Sequence, residues 1–171
     1  MSGWRGPPET LSQEASRFRR FESLVVAFNF ACVLVLLGLA VQLAWPPSYW
    51  FPLINSVALL SMNPWSAAAR PWPIVGGHFL TASAGIAFGM LFGSSIVVGA
   101  AAASVGVLAM VALRASHPPA AATALIFAIQ PHPSFSMLFP LMLGVFAFAA
   151  LASVTRAARR HIVSKLSGPP G

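Results

Sequence analysis

The chain has 171 residues, 57% hydrophobic and 8% charged, whereas soluble domains carry about 25% charged residues. With a mean hydropathy of +0.78, this composition excludes an ordinary soluble globular protein and points to an all-helical integral membrane protein whose first partner is the lipid bilayer. Lys and Arg outnumber acids 10 to 3; because the basic residues gather near the ends of apolar runs, the excess reads as membrane topology and not as a nucleic-acid patch.

Residues 1 to 9 are rich in Gly and Pro and are expected to be disordered. Next comes "TLSQEASRFRRFES", with Thr10 as a candidate N-cap and Gln13 three residues later. This lead-in, residues 1–23, is expected in the cytoplasm, where Leu11, Phe18 and Phe21 could lie on the bilayer surface beside Arg17, Arg19 and Arg20. A transmembrane domain over residues 24–155 and a basic cytoplasmic tail over 156–171 complete the expected organisation.

Within that domain four runs are long enough to span a hydrocarbon core of about 30 Å: residues 24–44, 74–92, 95–113 and 135–155. Two shorter apolar pieces, 51–62 and 118–130, reach only about 20 Å at 1.5 Å per residue and read as half-length or re-entrant helices. If the short pieces cross, all ten Lys and Arg fall on one side, both termini are cytoplasmic, and loops 45–50, 93–94 and 131–134 lie outside. That topology, expected in a bacterial inner membrane, divides the chain into three plus three crossings of opposite orientation. "NSVALL" at 55–60 and "ATALIF" at 122–127 would then be traces of an inverted repeat, a pattern that in transporters brackets a midplane site.

Small residues recur every four positions at Gly77, Thr81, Gly85, Gly89 and Gly93. Such a stripe lets a neighbouring helix approach closely, so Gly85, Gly89 and Gly93 are read as packing positions, with Gly99/Ala103 or Ala102/Gly106 as the matching face.

Glu9, Glu14 and Glu22 are the only acids, Asp is absent, and residues 23–171 hold no carboxylate side chain. A carboxylate proton relay and a Mg²⁺ or Ca²⁺ cage are therefore excluded from the membrane domain. Four His and the single Cys32 show no zinc-ligand spacing, no acid is placed to orient a catalytic His, and no Gly-rich phosphate loop occurs. Neither an enzyme nor a metal or cofactor site is expected.

The chemistry that remains is cationic. Pro118 and Pro119 favour a helix start directly after His117, so the first-turn N–H groups of Ala120 to Ala122 and the positive helix end face back toward Arg114 and His117. This arrangement attracts anions; a kinked loop in which His117 caps a carbonyl is the alternative. His78, after Gly76 and Gly77, is the matching ionisable group of the first half, and Asn55, Ser56 and Thr123 are the polar groups placed on the short helices. Proton coupling, with no carboxylate available, would need His117 or His78.

"SHPPAAATALIF" and "ARPWPIVGGHFLTASAG" together resemble the HPP family of small integral membrane proteins. The resemblance points to Gly76, Gly77, His78, Arg114, His117, Pro118, Pro119, Ala122 and Thr123. Two departures stand out: Asn55 replaces a small residue of the first short helix, and Ala121 replaces a Gly after the Pro pair. Some plant and cyanobacterial relatives are associated with nitrite transport, so the resemblance implies a transporter or channel for a small anion. The alternative is a non-transporting membrane scaffold or accessory subunit packed through its small-residue faces, and a homo-oligomer is left open by both.

Overall fold

A computed structural model describes residues 9–42 and 51–166. The expected disorder of residues 1–8 and the loop expected at 45–50 lie outside the described residues. Among those described there is no strand, and six α-helices follow in order: α1 Glu9–Gln42, α2 Phe51–Met62, α3 Pro71–Phe92, α4 Ile96–Ala112, α5 Ala121–Ala128 and α6 Leu138–Leu166. Two of the expected spans meet the length and hydropathy needed to cross a membrane, Pro71–Phe92 and Phe135–Lys165. The run expected at 95–113 forms a helix of 17 residues, since Ser95 caps its start and Leu113 ends it.

Local chemistry sets these boundaries. Pro71 occupies the first turn of α3, where a missing N–H leaves no bond unmade. Gly93 stops α3 by adopting φ 81°, a region open to Gly at little cost. The Ser95 hydroxyl accepts from the Val98 N–H at 3.2 Å to start α4. Pro118–Ala120 form a 3-10 turn and α5 follows from Ala121, so the second short piece is a three-residue 3-10 turn followed by an eight-residue α-helix. Thr10, the expected N-cap, instead lies inside α1, which begins one residue earlier.

α3 is the central element, packed against α4, α5 and α6, while α1 and α2 pack on each other and on α6. The small-residue stripe is used inside the chain. A Cβ on Gly85 would overlap the Ala124 carbonyl oxygen and come within 2.9 Å of its Cα, and one on Gly89 would lie 2.9 Å from the Ala128 oxygen. Backbone therefore touches backbone along α3 and α5, and Gly106 brings α4 equally close to Thr81. Gly93 is a correction to the expected stripe: a Cβ there meets nothing within 4 Å, because the glycine serves the turn and not the packing.

The basic tail also differs from expectation. α6 continues unbroken through position 156, and Arg159 is buried at 1% exposure. Its guanidinium grips Glu22 of α1 through both carboxylate oxygens, at 3.0 and 2.8 Å, and donates to the Leu60 and Ser61 carbonyls at 3.3 and 3.4 Å. Those two carbonyls belong to the last turn of α2, which has no intrahelical donors left for them. One side chain thus ties three helices, joining Glu22 of the lead-in and Arg159 of the basic segment to the end of α2.

Replacing Glu22 with Gln leaves Arg159 buried without its counter-charge and should lower unfolding free energy in detergent by on the order of 3 kcal/mol. Gly85→Ala should lower it by roughly 2 kcal/mol through overpacking. Gly38→Ala, at a position near the C-terminal end of α1 where a Cβ meets nothing within 4 Å, should raise it by about 0.5 kcal/mol.

Candidate functional site

Near the middle of the bundle the polar residues of both short helices converge. Four of the α2 residues turned inward, Leu53, Ser56, Val57 and Leu60, sit at i, i+3, i+4 and i+7, one face of a helix. Ser56 is the hydroxyl on that face and is completely buried. Its Oγ lies 2.8 Å from His117 Nε2, 3.1 Å from His78 Nε2 and 3.0 Å from the Pro52 carbonyl. The far nitrogens are held too, His78 Nδ1 by Thr123 Oγ1 at 2.9 Å and His117 Nδ1 by the Ala68 carbonyl at 2.8 Å. The ring centroids are 5.3 Å apart, and Ser56, His78, His117 and Thr123 are all fully buried.

Glycine lets this cluster close. A Cβ on Gly77 would lie 2.9 Å from His117 Cβ and 3.1 Å from the Ala115 oxygen, and one on Gly76 would press on Ala115 at 3.1 Å. The consecutive glycines one turn into α3 therefore admit the 115–117 segment against the helix, which brings His117 to Ser56.

The direction of each hydrogen bond follows from what each atom can do. A carbonyl only accepts, so His117 Nδ1 carries a hydrogen and donates to Ala68 O. In neutral His117 the Nε2 is then bare and accepts from the Ser56 hydroxyl. Ser56, having given its one proton, accepts from His78 Nε2–H, and His78 Nδ1 accepts from the Thr123 hydroxyl. The result is a single directed chain from Thr123 through His78, Ser56 and His117 to Ala68.

A second arrangement satisfies the same heavy atoms. With a proton added at His117 Nε2, that nitrogen donates to Ser56 Oγ and the Ser56 hydroxyl turns to the Pro52 carbonyl. The cluster holds one extra proton with every bond still made.

The two expected histidines meet through Ser56 and Thr123, but other expected residues stand apart. Asn55, adjacent to Ser56, is exposed, since one residue on a helix is a turn of about 100°. Arg114 is also exposed and takes φ 54° just past the end of α4, so it does not pair with His117. Two of the three N–H groups expected to face an anion at the head of α5 are engaged: Ala120 donates to His117 O at 2.9 Å, and Ala121 to Pro118 O. Pro118 and Pro119 shape the turn, and Ala122 is half-buried before Thr123. A cavity of about 310 Å³ reaches His117 between Met110 and Val111 of α4 and Ser116 and Ala121.

What sequence reasoning missed are backbone partners. Ala68 and Ala69 sit in a 3-10 turn before α3; His117 holds the first carbonyl, and Arg156 Nη2 donates to the second at 2.6 Å. No side-chain pattern announces a carbonyl acceptor. Among the described residues no group of three or more His, Cys, Asp or Glu is placed to hold a metal ion.

An all-helical bundle with two apolar helices of spanning length, closed around a buried polar centre of Ser56, His78, His117 and Thr123, fits the class of integral membrane proteins. The profile of the family described as HPP, transmembrane region, matches residues 14–163, and the chain belongs to that family. No curated protein and no solved structure matches it.

Ser56→Ala strips both buried Nε2 atoms of their partner and should lower unfolding free energy by roughly 2–6 kcal/mol, at 1–3 kcal/mol per buried unsatisfied group. Thr81 is equally buried, but its hydroxyl bonds only to carbonyls of its own helix, Gly77 and His78. Thr81→Val should therefore cost less than about 1 kcal/mol. Imidazole ¹⁵N spectra of the wild type should show His117 protonated at Nδ1, and an Nε2–H tautomer there would refute the bond directions.

Proposed function

We propose that this protein carries a small monovalent anion across the membrane together with a proton, nitrite being the candidate that the family resemblance names. One observation carries the reading: the Ser56-centred cluster accepts an extra proton without losing a hydrogen bond, yet nothing nearby neutralises it. The groups facing the cluster from α2, α3 and α5 are hydroxyls, imidazoles and carbonyls. Among the described residues the one acid in an ion pair is Glu22, already bonded to Arg159. A positive charge in so apolar a setting is costly unless it is paired, so its partner has to arrive from outside as an anion. Proton and anion then cross as a neutral pair, and each stabilises the other in the cluster. The cavity beside His117 is the space the anion takes in this reading.

The topology belongs to the same proposal: four full spans and two short crossings as an inverted three-plus-three repeat, both termini cytoplasmic in a bacterial inner membrane. Two features support it. Trp72 Nε1 donates to Leu113 O and Arg156 to Ala69 O, which gathers the start of α3, the end of α4 and the basic part of α6 at one end of the bundle. Ser56 and Thr123, at matching positions of the two short segments, both bond to His78. The scaffold reading drew on the glycine stripe, and α5 already covers that stripe from within the chain.

Proteoliposomes with an inward proton gradient should take up nitrite or another monovalent anion of a test panel, and His117→Ala should cut the rate at least tenfold. Equal flux with wild type, variant and empty vesicles overturns the proposal, and anion flux indifferent to the gradient removes the proton from it. Cysteines placed at positions 70 and 114 should label only from the cytoplasmic side; labelling of both from outside refutes the topology.

A further inference from the structure

A second cavity, of about 380 Å³, lies between the start of α3 and the last turns of α6, lined by Ala69, Pro71, Ala152, Ser153, Arg156, Ala157 and Arg160. Two of those residues are arginines and none is an acid. Arg70, the N-cap of α3, joins them electrostatically, since Arg156 feels the like charges of both Arg160 and Arg70. The neighbouring carboxylate, Glu22, is taken by Arg159. Two guanidiniums therefore line the cavity, with Arg70 next in sequence to its lining residues Ala69 and Pro71, and no side chain of opposite charge lines it.

The face of α6 that leads to this cavity has its own character. Phe139, Leu143, Phe146, Ala150, Ser153 and Ala157 are exposed at alternating steps of four and three, so they form one stripe along the helix, and Arg160 ends it. From Phe139 to Arg160 the stripe runs about 30 Å at 1.5 Å per residue, enough for a hydrocarbon chain to lie along it. Bulky side chains occupy its far end and small ones its approach to the arginines, which leaves a shallow channel where a lipid's glycerol and upper chain would pass. Apolar length capped by clustered cationic charge is complementary to one kind of molecule, an amphiphile with an anionic head.

We infer that this cavity is a binding site for an anionic phospholipid, its headgroup phosphate on Arg70, Arg156 and Arg160 and an acyl chain along the exposed stripe of α6. Basic pockets between transmembrane helices hold anionic lipid heads through this pairing. The site is separate from the Ser56 cluster and does not depend on the protein carrying an anion. Arg156 also donates to the Ala69 carbonyl, so the bound headgroup would sit directly against the turn whose preceding residue, Ala68, holds His117.

Native mass spectrometry of the full chain in mixed micelles tests this with dioleoylphosphatidylglycerol, dioleoylphosphatidylcholine and inorganic phosphate as probes. The wild type should bind phosphatidylglycerol in preference to phosphatidylcholine. The double variant Arg70→Gln/Arg160→Gln, which keeps the Arg156 bond to Ala69, should bind it about 25-fold more weakly, roughly fivefold for each cation removed. Lys165→Gln, an exposed cation of α6 outside the cavity, should keep the preference, and thermal unfolding of each variant reports its folding. Equal binding of the two lipids, a preference unchanged in the double variant, or an equal loss in Lys165→Gln overturns the proposal. Displacement of the lipid by inorganic phosphate at equal concentration overturns the lipid as the source of the anion.

Discussion

Ser56 has one hydroxyl proton and three acceptors within reach, and the bundle is arranged around that shortage. The hydroxyl faces His117 Nε2, His78 Nε2 and the Pro52 carbonyl, all within 3.1 Å. With the far side of His117 fixed by a carbonyl, the protonation of one imidazole decides where the Ser56 proton points, and with it the order of the whole chain of bonds. In water such choices are nearly free. In an apolar interior an unmade bond costs the full desolvation of the group, so the cluster occupies a few well-defined states.

Holding those atoms in register takes backbone contact. α3 carries glycine where the 115–117 segment and α5 lie against it: Gly76 and Gly77 under the first, Gly85 and Gly89 under the second. Lipid tails are as apolar as leucine, so helices in a bilayer gain little by burying large apolar side chains and much by close, extensive packing. At the other end Arg159 does electrostatically what glycine does sterically, joining α1, α2 and α6 through a buried pair. The structure is therefore fixed by contacts that tolerate little displacement, both beside the cluster and at the basic end.

Much of this was legible in the sequence. In so apolar a chain His78 and His117 had few roles open to them, and the short runs carrying Ser56 and Thr123 stood out by length and by their likeness to each other. What the sequence hid was orientation and backbone. Asn55 and Ser56 are neighbours, and only the packed face of α2 decides that the serine points inward. Arg114 is three residues from His117, yet a positive φ turns the chain between them. Glu22 and Arg159 are 137 positions apart, and no local pattern links them. The Ala68 and Ala69 carbonyls, which orient His117 and Arg156, have no side-chain signature at all.

The packing also places the members of the cluster on different elements. α3, α4 and α5 share their closest contacts and carry His78 and Thr123, with His117 in the turn between α4 and α5, whereas α2, which carries Ser56, packs on α1, α6, α5 and the Pro118–Ala120 turn. The hydroxyl that connects the imidazoles thus sits on a different helix from His78 and far along the chain from His117. A displacement of Ser56 by about one ångström away from the imidazoles would stretch both of its imidazole bonds beyond hydrogen-bond length together. Ser56 is then the single contact that joins the two imidazoles, and its sub-ångström placement sets whether the chain of hydrogen bonds is continuous.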